Sequence, residues 1–188
     1  MTISEKKKLE RHTFRKLRDE ISLNQRENVE KNVKLYVDSF IKKYKNISYI
    51  AIYWPLRNEV DIRSLKEKFS LALPRCKDKN ELLFYPWDEE PLTKDSEGIL
   101  SPNNSFSLTY NQISMILVPC LSVDKNLTRL GYGGGYFDRA LQNLKKDKNK
   151  ILIIGLGYEY QVSKKSFGEA HDIKYDIVMT EKDIHSFK

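Results

Sequence analysis

ISMILVPCLSVDKNLTRLGYGGGYFDRALQNLKKDKNKILIIGL, the stretch from Ile113 to Leu156, decides the fold of this chain. It begins and ends with apolar runs, residues 113–118 and 151–156, that have no polar face. Such runs are typical of strands buried on both faces of a sheet. A glycine-rich loop and a helical pattern over residues 135–146 lie between them. We therefore predict a strand, a loop, a helix and a second strand in this order.

The chain before this stretch alternates helix and strand patterns in the same way. Residues 3–44 have the apolar spacing of a helix, and Ser22, a good helix-capping residue, interrupts it, so we predict two helices. The apolar run 48–54 predicts a buried strand. A short helix is predicted from Asp61 through residue 69, and another strand over residues 71–76. These elements predict a βαβ unit.

The overall pattern predicts an α/β fold. Residues 81–87 can form a further strand, whereas the Pro, Asn, Ser and Gly content of residues 86–104 favours a loop. We expect a three-layer α/β/α sandwich with a mostly parallel central sheet, Rossmann-like, as a single domain over residues 1–188. Ligands of such folds bind beyond the carboxyl ends of the strands.

The composition is that of an ordinary globular protein. Of the 188 residues, 40% are hydrophobic and 31% are charged, which argues against a disordered or fibrous chain. The apolar runs are far shorter than the roughly 20 residues that span a bilayer. The amino-terminal segment is charged throughout and lacks the apolar core of a signal peptide, so we expect a cytoplasmic protein without membrane contact. Cys76 and Cys120 are then expected to be separate reduced thiols.

The loop RLGYGGGYFDR, from Arg129 to Arg139, has the composition of a phosphate-binding loop. Four of the five residues from 131 to 135 are glycine. Glycine lets backbone N–H groups converge on phosphate oxygens, and the following helix adds its positive end. The flanking arginines suit bidentate bonds to phosphate, and Asp138 suits magnesium. No GK[ST] or GxGxxG pattern is present, so the alternative is a tight strand-to-helix connection whose arginines pair with surface acids.

The full string resembles RLGxGxGYYDR, the signature of the 5-formyltetrahydrofolate cyclo-ligases, also called methenyltetrahydrofolate synthetases. Phe137 replaces the second tyrosine of that signature. The resemblance implies an enzyme that uses ATP and Mg²⁺ to cyclise 5-formyltetrahydrofolate to 5,10-methenyltetrahydrofolate, with release of ADP and phosphate. The expected partner is this small substrate, with or without a polyglutamate tail. We expect a monomer and no nucleic-acid partner.

A second segment, AIYWPLRNEVDI at residues 51–62, resembles the family's first strand and the loop after it. The resemblance implies that Glu59 contacts the folate, where a carboxylate can accept two N–H bonds from the pterin. Trp54 occupies the place of a substrate-facing apolar residue and can stack on a flat heterocycle. Without the resemblance, these two are a loop acid and a core aromatic. LPRC at residues 73–76 is similar to the family's strand ending in Pro-Arg, which makes Arg75 a candidate anion ligand, with a surface salt bridge as the alternative.

The basic amino-terminal helix also resembles the family, in which a Lys and an Arg one turn apart reach the nucleotide phosphates. Lys7 and Arg11 have this spacing. Because the segment is so basic, Lys8, Arg15 and Lys16 offer other registers. A solvated charged face is the alternative.

Two further segments are similar to family motifs. ILVPCLSVD resembles the strand and loop written VPGLAFD in the family, with Cys120 in place of glycine. GEAHDIKYDIVMTE resembles the closing segment, in which an Asp helps to coordinate magnesium, and this implies that role for Asp172. A cap or turn formed by His171 and Asp172 is the alternative. GILSP, at residues 98–102, has Ser101 where bacterial members commonly have glutamate.

The resemblance assigns roles to these residues. Those assigned to ATP contact are Lys7, Arg11, Arg129, Leu130, Gly131, Tyr132, Gly133, Gly134, Gly135, Tyr136 and Phe137. Those assigned to folate contact are Trp54, Glu59, Tyr132, Gly133, Gly134, Gly135 and Tyr136. Arg129 and Tyr136 are the catalytic candidates, since they can neutralise phosphoryl charge and orient an oxygen. Asp138 and Asp172 are the candidate ligands of Mg²⁺.

Two other functions fit parts of the sequence. An enzyme on a similar α/β scaffold, such as a sugar-phosphate isomerase, would use the glycine loop to hold a substrate phosphate without hydrolysing ATP. A non-catalytic RNA-binding module would fit the basic amino-terminal helices, the net charge of +7 and the 11 tyrosines. The aromatic residues are scattered through predicted strands instead of forming an RNP-like motif, which core packing explains more simply.

Overall fold

The computed structural model of the protein describes residues 2–77, 81–88, 91–146, 151–169 and 172–186. The helices are α1 (Ile3–Asp19), α2 (Leu23–Ile41) and α3 (Tyr136–Lys146), with 3₁₀ helices at Arg63–Glu67, Tyr110–Gln112 and Glu159–Gln161. The strands are β1 (Tyr49–Ala51), β2 (Leu71–Lys77), β3 (Glu81–Pro86), β4 (Thr93–Lys94), β5 (Leu100–Ser101), β6 (Ile113–Pro119), β7 (Ser122–Val123), β8 (Arg129–Leu130), β9 (Leu152–Leu156), β10 (Ile177–Met179) and β11 (Ile184–Ser186). Among these described residues, no helix has the length and apolar character needed to cross a membrane.

A seven-stranded sheet forms the centre of the described part of the chain, in the order β11-β10-β9-β6-β1-β2-β3. The inner strands from β10 to β2 pair in parallel, and the edge strands β3 and β11 are antiparallel to their neighbours. The two strands predicted most strongly, β6 and β9, are neighbours that align Met115 with Leu152 and Pro119 with Leu156. The prediction of a mostly parallel sheet is therefore confirmed.

Alternate residues along the strands face two separate apolar layers. On β6, Met115 lies in the cluster that contains Val33 and Val37 of α2. The next residue, Ile116, lies in the cluster that contains Leu141 of α3. Because successive side chains of a strand point to opposite faces, α2 and α3 cover opposite sides of the sheet. This is the predicted α/β/α sandwich.

Capping boxes define the starts of the two amino-terminal helices. At α1, the Thr2 hydroxyl accepts the amide of Glu5 at 3.2 Å, and the Glu5 carboxylate accepts the amide of Thr2 at 2.7 Å. At α2, the Ser22 hydroxyl accepts the amide of Gln25 at 3.3 Å, and the Gln25 side chain accepts the amide of Ser22 at 3.1 Å. Ser22 therefore separates the helices as the sequence predicts.

The first βαβ crossover is tighter than the sequence predicts. The strand expected over residues 48–54 spans only Tyr49–Ala51, and the expected helix is the 3₁₀ helix Arg63–Glu67. The Asp61 carboxylate accepts the amide of Arg63 at 2.9 Å, a local bond that competes with the start of an α-helix. The following strand, β2, nevertheless pairs in parallel with β1.

The segment expected as loop over residues 86–104 contains the hairpin of β4 and β5. Its turn has Gly98 at φ 76°, a conformation that glycine adopts without strain. The Asp95 carboxylate accepts the amides of Glu97 and Ile99 at 2.9 and 3.0 Å and also binds the amide of Cys76 at 3.0 Å. These bonds hold the hairpin against β2.

Both cysteines are buried free thiols. Burial raises the pKa of each thiol to about 12, so both are neutral near pH 7. The prediction of separate reduced thiols is confirmed.

Candidate active site

A cavity of about 400 Å³ opens at the carboxyl edge of the parallel strands. Pro119, at the end of β6, lies in its wall, as do Tyr53 and Trp54 just after β1. The hairpin of β4 and β5 contributes Asp95 and Glu97. Among the sequence-predicted site residues, those that line it are Trp54, Glu59, Arg129, Tyr132, Gly134, Gly135, Tyr136 and Phe137.

The glycine-rich loop passes from β8 to the start of α3 along this cavity. Gly133 and Gly135 have φ values of 110° and 70°, which other residues adopt only with strain. A Cβ on Gly135 would also lie 2.7 Å from Nη1 of Arg139. Since α3 begins at Tyr136, the loop delivers the positive end of a helix to the cavity.

Arg129 is a fixed cation in the cavity wall. Its side chain is buried, with the residue 8% exposed. Nη1 donates to both carboxylate oxygens of Asp138 at 3.1 Å, and Nε donates to the carbonyl of Pro119 at 3.2 Å. A Cβ on Gly131 would collide with this guanidinium group, so the close approach requires glycine there.

Helix α1 holds the loop from the other side. Nε of Arg11 donates to the carbonyl of Gly131 at 3.0 Å, and Nη2 of Arg15 donates to the carbonyl of Tyr132 at 2.8 Å. Two arginines one turn apart therefore bind consecutive carbonyls of the loop. The register with Arg15, which the sequence offers as an alternative, contributes alongside Arg11.

Lys7 ties the same helix to the closing segment of the chain. Its Nζ lies 2.6 Å from Oε2 of Glu169 and 2.6 Å from Oδ2 of Asp172. Burial lowers the pKa of Lys7, but the bonds with Asp172 and Glu169 outweigh it and raise the pKa above its usual value. Lys7 is therefore charged and paired.

Glu59 is a buried carboxylate in the cavity wall, with the residue 5% exposed. Oε2 accepts the amide of Leu56 at 2.8 Å, and Oε1 accepts the hydroxyl of Tyr132 at 3.2 Å. Nη1 of Arg18 lies 3.5 Å from Oε1. Burial raises the pKa of Glu59, while the Leu56 amide and Arg18 oppose this shift.

Trp54 also lines the cavity and lies between an aromatic and a cationic neighbour. Its ring centroid is 6.0 Å from that of Trp87, in an edge-on arrangement. The guanidinium carbon of Arg63 lies 4.3 Å from the Trp54 ring centroid. One face of the indole is thus engaged by a cation.

Comparison with known proteins identifies the class. The profile of the 5-formyltetrahydrofolate cyclo-ligase family matches residues 3–181. The chain belongs to this family. It is 28% identical over 169 residues to the 5-formyltetrahydrofolate cyclo-ligase of Haemophilus influenzae, covering 84% of this chain and 88% of that one. The cyclo-ligase of Mycoplasma pneumoniae is 26% identical over 163 residues, covering 86% and 90%.

Solved structures agree with this membership in the cyclo-ligase family. The solution structure of the 5,10-methenyltetrahydrofolate synthetase of Aquifex aeolicus superposes with a TM-score of 0.80 and 27% identity. The match covers 99% of this chain and 93% of that protein. The resemblance to the cyclo-ligases is therefore confirmed, and the chain is an enzyme of this class.

The candidate magnesium ligands of this cyclo-ligase are each paired with a cation. Asp138 binds Arg129, and Asp172 binds Lys7. Oδ2 of Asp172 also accepts the amide of Glu169 at 2.6 Å, which is a turn bond of the kind that the sequence offers as an alternative. Within the described ranges, no three His, Cys, Asp or Glu side chains are grouped as a metal site. His171 lies outside the described residues.

Three other positions singled out in the sequence have defined contacts. Arg75 donates to the carbonyl of Pro102 at 3.0 Å and lies 3.7 Å above the Tyr85 ring, and it forms no salt bridge with the residues that the structure describes. Ser101 is fully buried and bonds to the carbonyl of Thr93 at 3.5 Å. Phe137 lies beside Arg129, with its ring centroid 5.5 Å from the guanidinium carbon.

The sequence reasoning missed two charged residues of the site. Arg18 contacts both Glu59 and the ring of Tyr132, and Glu97 accepts a hydrogen bond from the hydroxyl of Tyr136, which raises the pKa of this tyrosine. A signal for Arg18 was present, because its spacing from Arg11 places both on one face of a helix. Glu97 had none, since its position depends on the hairpin of β4 and β5.

Proposed function

We propose that this enzyme cyclises 5-formyltetrahydrofolate to 5,10-methenyltetrahydrofolate in a reaction that consumes ATP, requires Mg²⁺ and passes through a phosphorylated formyl group. One observation carries the proposal: a single cavity is lined both by a buried carboxylate, Glu59, and by the glycine loop with Arg129. We call the part near Glu59 and Trp54 the folate end and the part near the loop and Arg129 the phosphate end. The two ends suit the two halves of this reaction.

The chemistry needs ATP because a formamide oxygen leaves poorly. Transfer of the γ-phosphoryl group to the formyl oxygen releases ADP and makes the formyl carbon electrophilic. The lone pair of N10 then attacks this carbon and N10 loses its proton. The carbon–oxygen bond breaks, and phosphate departs with the former formyl oxygen. No side chain of the protein needs to act as a nucleophile.

The folate end supplies recognition of a flat, donor-rich ring. An ionised Glu59 can accept two N–H bonds, which matches the amino and ring N–H groups of a pterin. Trp54 offers an indole face near the same end of the cavity. The carboxylate is already anchored by Leu56 and Tyr132, so little reorganisation is required on binding.

The phosphate end supplies positive potential in a fixed geometry. The backbone N–H groups of the loop and the start of α3 can bind phosphate oxygens, and Arg129 adds a full charge. Such an arrangement suits phosphoryl transfer, in which the protein mainly positions groups and neutralises charge. Arg11 binds the loop from α1 and extends the positive region, and Lys7 on the same helix is bonded to Asp172, the second candidate Mg²⁺ ligand.

The residues present are compatible with Mg²⁺. In proteins this ion is usually held by one or two carboxylates together with phosphate oxygens and water, so a larger acidic cluster is not needed. The Asp138 side chain is 31% exposed at the first turn of α3, and Asp172 is the second candidate. When bound, the ion would neutralise charge on the triphosphate. Each carboxylate would then be shared between this ion and its present partner, Arg129 for Asp138 and Lys7 for Asp172.

Tyr136 is proposed to orient an oxygen of the reacting group. Tyr136 lines the same cavity, and its hydroxyl is bonded to Glu97 from the β4–β5 hairpin. Restriction of a phenol by a second side chain is a common way to fix its direction.

The arrangement of α1 favours a small-molecule site over an RNA-binding face. Arg11, Arg15 and Arg18 all contact groups within the chain, where an RNA-binding helix would offer them to phosphates outside. This supports the cyclo-ligase proposal.

The test is formation of methenyltetrahydrofolate from 5-formyltetrahydrofolate, followed by its near-ultraviolet absorbance with and without ATP and Mg²⁺. We expect product only when both are present. Asp138→Ala and Arg129→Ala should lose activity, while Lys94→Ala, an exposed change on β4, should not. Absence of product from the folded parent protein would contradict the proposal.

A further inference from the structure

Arg18 is a buried arginine in the last turn of α1, behind the wall of the cavity. The residue is only 7% exposed. Its guanidinium carbon lies 4.6 Å from the ring centroid of Tyr132, and its carbonyl accepts the side-chain amide of Asn58 at 2.9 Å. Asn58, at φ 57°, directly precedes Glu59. Arg18 thus contacts Asn58, the residue before Glu59, and Tyr132, whose hydroxyl is bonded to Glu59.

The charge of Arg18 faces Glu59 without a close hydrogen bond. Nη1 lies 3.5 Å from Oε1 of Glu59, and the two side chains are 8% and 3% exposed. This buried Nη1 makes no hydrogen bond within the described part of the chain. The interaction is therefore electrostatic, and it acts in a poorly solvated place where it is strong.

The other titratable groups near Glu59 leave few sources of positive charge. Those that face it are Arg129 from β8, Tyr132 from the glycine loop, Tyr53 after β1 and Cys120 after β6. Burial keeps Tyr53 and Cys120 neutral near pH 7, because it raises the pKa of both, to about 12 for the thiol. Arg129 is already bonded to Asp138. Arg18 is thus the cation committed to Glu59.

We propose that Arg18 is a positioning residue that keeps Glu59 ionised and aligned to accept two N–H groups of the folate ring. It acts through Glu59, because Glu59 lies in the cavity wall and Arg18 lies behind it. A protonated Glu59 would present an O–H donor toward the donors of the ring and lose an acceptor. The inference rests on the proposed function and concerns how the enzyme recognises its folate substrate.

The experiment measures binding of 5-formyltetrahydrofolate without ATP, by calorimetry, from pH 5.5 to 8.5. The variants are Arg18→Met, which keeps an apolar stem of similar length, and Arg18→Lys, which keeps the charge. Arg57→Met, an exposed change in the same loop as Glu59, is the matched control. Each variant is compared with the parent, so that ionisation of the ligand cancels.

Removal of the cation should raise the pKa of Glu59 further, so binding should weaken most at low pH and recover as pH rises. We expect Arg18→Met to bind more weakly than the parent at the acid end of this range, by up to about tenfold if the pKa rises by about one unit. The deficit should shrink by pH 8.5. Arg18→Lys should follow the parent profile closely, and Arg57→Met should match it.

Equal weakening at every pH, or unchanged binding, would overturn the positioning role while leaving the proposed function intact. If Arg18→Met fails to fold, Arg18→Gln takes its place: weakening confined to low pH supports the role of charge, and unchanged binding or equal weakening at every pH contradicts it. A folded parent that binds no 5-formyltetrahydrofolate would overturn both the proposed function and this inference.

Discussion

The two parts of the cavity that the proposed function assigns to folate and to phosphate differ in how their charged groups are bonded. At the folate end, the carboxylate of Glu59 is bound by neutral donors, the Leu56 amide and the Tyr132 hydroxyl, with Arg18 3.5 Å away. At the phosphate end, four of the charged candidate ligands form close ion pairs: Arg129 with Asp138 at 3.1 Å and Lys7 with Asp172 at 2.6 Å.

This difference indicates two modes of binding. The folate end is ready to accept its ligand, because the acceptor is fixed and its cation is set behind it. In the proposed function, the phosphate end must exchange these internal ion pairs for bonds to phosphate and metal. We therefore expect changes at the first end to affect folate affinity and changes at the second to affect turnover.

The largest effect is expected from Arg129→Ala at the phosphate end. Loss of a fixed charge on the transferring phosphoryl group should lower kcat about 10³-fold. The affinity for 5-formyltetrahydrofolate, measured by calorimetry, should stay within about threefold of the parent. The kcat of Arg129→Lys should lie between those of the parent and Arg129→Ala, because lysine keeps the charge but not the paired N–H donors of the guanidinium group. A parent-like kcat, or a loss confined to folate affinity, would break the proposed division.

Glu59→Gln at the folate end should give the opposite pattern. Two charge-assisted acceptor positions become one neutral acceptor, which should weaken folate binding about 100-fold. KM for ATP and kcat at saturating folate should change little. Steady-state kinetics with each substrate varied in turn separates the effect on folate binding from effects on kcat and on the KM for ATP. A variant that loses kcat and keeps folate affinity would contradict the assignment.

Asp124→Asn should loosen the support of the phosphate end. The buried carboxylate accepts the amides of Asn126 and Thr128 at 2.8 and 2.9 Å, and those of Phe167 and Gly168 at 3.2 and 3.1 Å. An amide side chain would oppose part of this donor set, so we expect about 2 kcal/mol less stability at pH 7 by denaturant unfolding.

The pH dependence of this stability has a defined sign. Burial raises the pKa of Asp124, but the four backbone bonds outweigh it and place the pKa below its usual value. A depressed folded-state pKa adds stability above the unfolded value near 3.8, and this stability is lost as pH falls through the folded-state pKa. The difference in the free energy of unfolding between the parent and Asp124→Asn should therefore become smaller at acid pH. A gap that is constant with pH would show that the charge of Asp124 is not responsible.

The smallest effect is expected from Tyr136→Phe in the cavity wall. Loss of one oriented hydroxyl should lower kcat about fivefold with little change in either KM. Glu97→Ala, which removes the partner of that hydroxyl, should have an effect of similar size, and the double variant should be no worse than either alone. Unchanged turnover in Tyr136→Phe would remove this tyrosine from the catalytic group.

Much of the fold could be predicted because it depends on local patterns. The apolar runs of β6 and β9 are buried on both faces, so they stand out in the sequence, and the Ser22 cap is a local signal. The β4–β5 hairpin could not be predicted, because Asp95 stabilises it by bonds that composition does not reveal. Gly, Pro, Asn, Asp and Ser are common both in irregular loops and in hairpin turns, so composition does not distinguish the two.

The candidate site was predictable where chemistry is concentrated in one motif. The glycine loop and its flanking arginine are contiguous, so a string of residues reveals them. Arg18 was harder to predict, because its contact with Glu59 joins positions 41 residues apart in the sequence. A charged helix face was visible, but which of its residues turn inward depends on how α1 packs against the rest of the chain.

The most direct test of the mechanism follows the formyl oxygen. If 5-formyltetrahydrofolate labelled with ¹⁸O in its formyl group is converted with unlabelled ATP, the account predicts that the released phosphate carries one ¹⁸O atom, seen by mass spectrometry. Each product molecule should be accompanied by one ADP. Unlabelled phosphate, with the ¹⁸O released to water, would contradict phosphorylation of the formyl oxygen and with it the assignment of the phosphate end.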